Sequence, residues 1–505
     1  MKKLDKVYRG LLYVLPVALF FSYYPVMKLG ENDSMYFELS LTLLWVVVFD
    51  IVALIMMARR RALFVSGVWK RIGWVLFPVW ACLSVLWSEN MLRGVLTAGV
   101  LLMVCFAGYG IWRLRGICDK DFWRKWWQWF VGTTIVICLW CVVQCVLDLV
   151  GVGQEWTLLC DGCTYRMFGF PHPNGFAIEP QFMGNLLLAP TIVEAGWLML
   201  RLRPRSAGPS PRAVDANSRA AALRNAASSK HHAILFFMFA STIFLTFSRG
   251  AIYAFVVGLF VMSGLMVINE RQKWQNALKR AGIAWGVVIL SFGVCLNVQG
   301  LMAEFSPTSD TYADGVAKVI NHLSLGVIDI RGGAEDHENV AVENSVEKPV
   351  ENTVDNVNDD RGEGNKPVFD GYVAESTDTR LRLTGAAVEV WSSDLRTVLF
   401  GVGLGGAGQA LFEHGLSPAP REIVQNEYAS LLLETGLIGV SLFALMVVLV
   451  FRMIWRSEMR GLVVPLVVAY AVTLLFFSGL PNALQIYLLP VVFVIYRGGR
   501  DTTER

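Results

Sequence analysis

The chain has 505 residues, 55% hydrophobic and 17% charged, with a formal net charge of +3 and a mean hydropathy of +0.49. A soluble domain needs more charged surface than that, so the chain reads as an all-α polytopic membrane protein. The small net charge says little about partners. No nucleic-acid partner is expected, and the placement of charges along the chain carries the information.

The amino terminus, MKKLDKVYRG, precedes an apolar segment and lacks a small-residue cleavage site, so it reads as the start of a first span. Apolar windows then fall near 10–29, 36–57, 72–88, 92–112, 127–150, 181–200, 233–248, 250–269, 282–300, 428–451, 461–479 and 482–497. Every second connection should be basic if the chain threads the membrane with its amino terminus inside. Arg59-Arg60-Arg61, the Arg113 to Lys125 stretch and the 201–232 connection, with about seven Arg or Lys against one Asp, satisfy this. Glu270 to Arg280, Arg452 to Arg460 and the RGGRDTTER tail do so too. About twelve transmembrane helices with both termini cytoplasmic are therefore expected.

The organisation that follows has helices one to nine in residues 1–300, a large periplasmic loop over 301–427, and helices ten to twelve with a cytoplasmic tail in 428–505. The loop's acidic, aromatic-poor middle, about 331–370, is expected to be disordered. After it, Leu383, Ala386, Ala387, Val390 and Trp391 recur at helical spacing and predict an amphipathic helix over about 380–393. GVGLGGAGQALF comes next, with enough glycine to let a backbone approach a ligand closely.

Most of the nine cysteines lie in apolar stretches, where a thiol packs as a small hydrophobe. Cys160 and Cys163, in a polar outer connection, suit a local disulfide and make a poor zinc site.

Several charges remain to be explained. Arg249, in TFSRGAIYAF, falls between spans seven and eight and either marks a membrane interface or serves a cavity. Arg380 and Arg382 open the amphipathic helix on the same outer side. Two guanidinium groups facing one pocket would repel without an anion between them, and their geometry suits phosphate. In REIVQNEYASLLLETGLIG, Gln425, Asn426 and Glu427 lie at the mouth of span ten, as helix caps or as working groups, with Glu434 about two turns further in.

These segments together resemble the O-antigen ligase and polymerase superfamily. The resemblance rests on SRG at Ser248–Gly250, the arginine that opens a helix before GVGLGG, and QNEYASLLLETGLIG. An upstream piece, RMFGFPHPNGFAIEPQFMGNLL, fits as well. It implies transfer of a glycan from an undecaprenyl-diphosphate carrier to a glycan, lipid-core or protein acceptor, at the periplasmic face of a bacterial inner membrane. Membrane lipids are the surroundings, and neither a metal nor a cofactor is implied. Arg249 and Arg380, with Arg382 beside them, would hold the diphosphate. The family's histidine at the head of the third motif is Gln425 here, and an amide cannot act as a base. Glu427 and Glu179 are the most economical replacements; Arg166, His172, His414 and Asn426 are further candidates. A polymerase, a ligase and a protein O-oligosaccharyltransferase all fit. A transporter or flippase for lipid-linked glycans is the alternative from another class.

Overall fold

The computed structural model describes residues 2–477, apart from 23–25, 33–34, 62–72, 74, 161–162, 165–169, 203–215, 306–310, 326–327, 329–368, 421 and 456–459. The acidic insert, Arg166, and the expected twelfth span at 482–497 lie outside the described residues.

The chain folds into helices, with one antiparallel hairpin added among the described residues. Helix α1 covers Lys2–Phe20, and strands β1 (Val26–Asn32) and β2 (Met35–Ser40) pair before α2 (Leu41–Arg59). The first apolar window, set at 10–29, therefore ends nine residues early in a helix that begins within the charged amino terminus. α3 (Leu76–Ser84), α4 (Met91–Arg113) and α5 (Lys120–Leu149) follow. Next come α6 (Pro180–Arg201), α7 (Ala216–Leu245), α8 (Arg249–Asn269) and α9 (Trp274–Phe305).

After α9 the chain forms α10 (Tyr312–Leu323), α11 (Phe369–Trp391), and the short α12 (Leu395–Phe400) and α13 (Ala407–Glu413). Then α14 (Glu427–Trp455) and α15 (Arg460–Thr473) complete the described fold. Helix α14 is interrupted at Gly436, whose φ of 64° is left-handed.

Among the described residues, seven helices are long and apolar enough to cross a membrane: α2, α4, α5, α6, α8, α9 and α14. The apolar stretches Leu76–Trp87, Ser229–Leu245 and Arg460–Thr473, at expected spans three, seven and eleven, are shorter. Phe260 on α8 and Ile289 on α9 are 70% and 69% exposed, which only an apolar solvent makes favourable. Polar side chains start the helices: Ser40 caps α2, Asn90 caps α4 and Asp119 caps α5, each accepting a backbone N–H from three residues on.

The basic connections gather at one end of the bundle. Arg60 pairs with Asp5 at 2.7 Å, Arg9 Nε donates to the Ile117 carbonyl, and Arg460 reaches Asn269 at 2.7 Å. Buried Arg280 joins Glu270 and donates to the Met199 carbonyl at 3.2 Å. Helix α6 is central, with 89% of its apolar window buried. It packs on α7, α8 and α15. Small residues permit the approach: a Cβ at Gly184 would meet the Ala251 methyl at 2.6 Å, and one at Gly258 would meet Ala469 at 3.0 Å.

Candidate functional site

The site forms at the other end of the bundle, around the turn from α7 to α8. Phe247 holds a left-handed φ of 52°, a costly conformation for a bulky residue. Ser248 then caps α8, its hydroxyl accepting from Ala251 N–H at 3.4 Å. Arg249 follows as the first residue of α8 and is 7% exposed. Gly250 is small by necessity, since a Cβ there would lie 2.8 Å from Cβ of Phe476 and 3.1 Å from Nε2 of Gln181.

Helix α10 clamps this turn. Thr311 and Asp314 form a reciprocal capping box at its start, and Gly315 lets it lie against α9. At its far end His322 Nε2 donates to the Phe247 carbonyl at 3.0 Å, and the Tyr253 hydroxyl of α8 donates to the Leu323 carbonyl. Phe170, Phe247 and Val319 make a small apolar cluster under the turn. His172 stacks on Phe247 and Phe170, with its ring centroid 6.1 Å from that of His322.

Helix α11 buries Leu383, Ala386, Ala387 and Val390, as its spacing predicts. It starts at Phe369, eleven residues before the expected 380. Arg380 is half-buried on it, and its Nη1 donates to the Phe476 carbonyl at 3.1 Å. Gln181, in the first turn of α6, donates to the same oxygen at 2.8 Å. Two residues earlier, the Leu474 carbonyl accepts the Glu427 N–H at 2.9 Å. The segment 474–476 thus ties α6, α11 and α14 together beside Arg249.

The predicted residues divide into those gathered here and those held elsewhere. Arg249 and Arg380 both act on His322, and Arg380 acts on Glu179. Glu179 reaches the surface, yet crowding by protein raises its carboxyl above the ordinary range against the opposing pull of Arg380. Glu427 is 3% exposed. Asn426 works as a cap, its Oδ1 accepting from the Tyr428 and Ala429 N–H groups. Gln425 is half-buried just outside that helix, and Arg382 is exposed on α11. His414 ends α13, where Nδ1 donates to the Ala410 carbonyl at 2.8 Å, and its charged neighbour is Glu89. Loss of solvation and the like charge of Glu413 raise the Glu89 carboxyl.

The glycine loop does a different job from the one its composition suggested. A Cβ on Gly401 would lie 2.5 Å from the Glu434 backbone, on Gly403 2.4 Å from Ser88, and on Gly405 2.7 Å from Gly94. The close approach is to the chain's own backbone. The Glu434 carboxylate accepts from the Gly405 and Ala407 N–H groups, so it anchors this loop.

The sequence passed over His322. Its helix was announced by Thr311-x-x-Asp314 before an apolar repeat, within a connection read as a loop. Burial above all, then the Arg249 guanidinium, hold its imidazole down at about 4. The Phe247 carbonyl opposes that and Arg380 adds to it. Burial and His322 lower His172 as well. Both rings are therefore neutral near pH 7. Among the described residues no cluster of three or more His, Cys, Asp or Glu is grouped to hold a metal ion.

No curated protein matches the chain. A family model described as O-antigen ligase matches residues 234–444. That stretch contains Arg249, α10 with His322, Arg380, the glycine loop and the Gln425–Glu434 segment. Glu179, Gln181 and Phe476 are contributed from outside it. The likeness to the O-antigen ligase family therefore covers residues 234–444 of this membrane protein, and the site also draws on residues beyond it.

Proposed function

We propose that the protein moves an oligo- or polysaccharide from undecaprenyl diphosphate to an acceptor hydroxyl at the periplasmic face of the inner membrane. The observation that carries this reading is the meeting of the two arginines at Phe476, whose carbonyl accepts from Arg380 and whose side chain lies against Gly250 beside Arg249. Two guanidinium groups around one small volume make a seat for a dianionic or trianionic ligand, and a diphosphate supplies several acceptor oxygens. The two arginines hold the diphosphate and stabilise the charge that builds on it as the glycosidic bond breaks. Their charge does the work that a metal ion performs in other glycosyl transfers. Both termini are cytoplasmic in this reading, because the arginine-rich connections cluster at the end opposite the site.

Arg249→Ala and Arg380→Ala, each expressed in a deletion strain, are expected to abolish surface polysaccharide assembly while membrane levels of the protein stay unchanged. Arg382→Ala is expected to retain assembly, because that side chain is exposed. Normal complementation by both the Arg249 and Arg380 variants would overturn the reading. The sugar attached downstream of the carrier, analysed in the parent strain, separates polymerase from ligase activity.

A further inference from the structure

We propose that Nδ1 of His322 takes the proton of the incoming hydroxyl, the task that the amide of Gln425 cannot perform. This rests on the transfer reaction proposed above. A carbonyl oxygen only accepts, so the 3.0 Å contact with Phe247 assigns the ring hydrogen to Nε2 and leaves a lone pair on Nδ1. The ring is 5% exposed, and Nδ1 is a buried atom with no hydrogen-bond partner among the described residues. A buried acceptor left unfilled costs about 1–3 kcal/mol, an arrangement retained where a partner arrives with the substrate.

The groups around the ring come from every neighbouring element: Arg249 on α8, Arg380 on α11, His172 from the 170–179 connection, and Lys318 one turn earlier on α10. Desolvation is the main reason the imidazole is a weak base, and the two arginines weaken it further. A diphosphate seated on those arginines cancels their contribution. The base is thereby strengthened only when the donor is in place, which links proton removal to donor binding.

The acceptor oxygen forms a bond to the anomeric carbon, and the bond from that carbon to the diphosphate oxygen breaks, its electron pair leaving on the lipid diphosphate. The hydroxyl proton passes to Nδ1, giving an imidazolium with hydrogen on both nitrogens. Departure of the lipid diphosphate restores the repulsion from Arg249 and Arg380, and the proton is released to water.

His322→Gln tests this, because the glutamine amide nitrogen reaches the Nε2 position and keeps the donation to Phe247 while removing the base. The full-length variant is expected to bind undecaprenyl diphosphate as the parent does, followed by native mass spectrometry. Surface polysaccharide in the deletion strain is expected to fall at least about 100-fold, the usual lower bound for losing a general base. Assembly within about threefold of the parent overturns the proposal, and so does loss of undecaprenyl diphosphate binding, which would make His322 a positioning residue. Should the variant fail to accumulate, the parent's own assembly rate decides: it should hold from pH 8 to about pH 6.5 and decline as the medium is taken on towards pH 4, where the ring takes up its proton, and a profile flat down to pH 4 overturns the proposal. Arg249→Ala and Arg380→Ala proteins that bind undecaprenyl diphosphate normally would instead overturn the transfer reaction itself, whatever His322→Gln does.

Discussion

Gly403 donates its N–H to the Glu434 carbonyl at 3.0 Å, and the Glu434 carboxylate turns back to accept from Gly405 and Ala407. One residue thus holds both sides of the loop that follows α12. Gly403 has φ of 91°, and an added Cβ would sit 2.4 Å from the Ser88 Cα. Gly403→Ala is expected to cost more than about 2 kcal/mol through backbone strain and displacement. Glu434→Ala strands two backbone donors at roughly 1–3 kcal/mol each. Both variants should lower the melting temperature in detergent by several degrees, whereas Arg249→Ala should leave it within a degree. Unchanged melting of the Glu434 variant would remove the anchoring role.

Seven of the expected spans, the amphipathic helix and the Arg249 turn were legible because hydropathy and periodicity depend on local residue order. Leu383, Ala386, Ala387 and Val390 are buried together as their spacing requires. The purpose of the glycines was not legible, since a glycine run reads the same whether a ligand or a neighbouring backbone fills the space. Ser88 and Gly94, which fill it here, are more than 300 residues away in the chain. His322 escaped for a related reason. Its meaning comes from Phe247, Arg249 and Arg380, and no local pattern connects α10 to any of them. Glu434 drew attention as a carboxylate in an apolar run, and its partners are backbone amides that no side-chain pattern records.

Acid should destabilise the fold through the same histidine. Folding lowers His322 to about 4, from an unfolded value near 6.5, and lowers His172 as well. Between those limits the unfolded chain binds more protons, so stability is intact above about pH 6.5 and falls as the pH drops. For His322 alone the loss approaches on the order of 3 kcal/mol by pH 4. Glu179 has the opposite sign, because its raised folded value favours the protonated folded form below the ordinary carboxylate range. Melting temperatures should be level from pH 8 to 7 and decline from pH 6.5 to 5. His322→Gln should flatten that decline in part, leaving the share due to His172. Equal slopes for the two proteins would mean that His322 titrates at its ordinary value.

The Cys160–Cys163 bond offers a last point of control over the same site. The two cysteines are joined, with Cα atoms 5.1 Å apart. The Cys163 carbonyl accepts the His172 N–H at 2.9 Å, so the bridge fixes the start of the segment that stacks His172 beside His322. Closing so small a ring restricts the unfolded chain by about 2 kcal/mol. Reduction, or Cys160→Ser with Cys163→Ser, should therefore lower the melting temperature by a few degrees and leave membrane levels near normal. The thiols of Cys138, Cys141, Cys145 and Cys295 are buried in the bundle and should stay unreactive in the folded protein. A membrane-impermeant maleimide applied to intact spheroplasts should add two labels after reduction and none at these two positions before it. Labelling of Cys160 or Cys163 without reductant would show the pair to be open in the cell. Polysaccharide assembly should decline only modestly in the double serine variant, because Phe247 still accepts from His322 when His172 loosens.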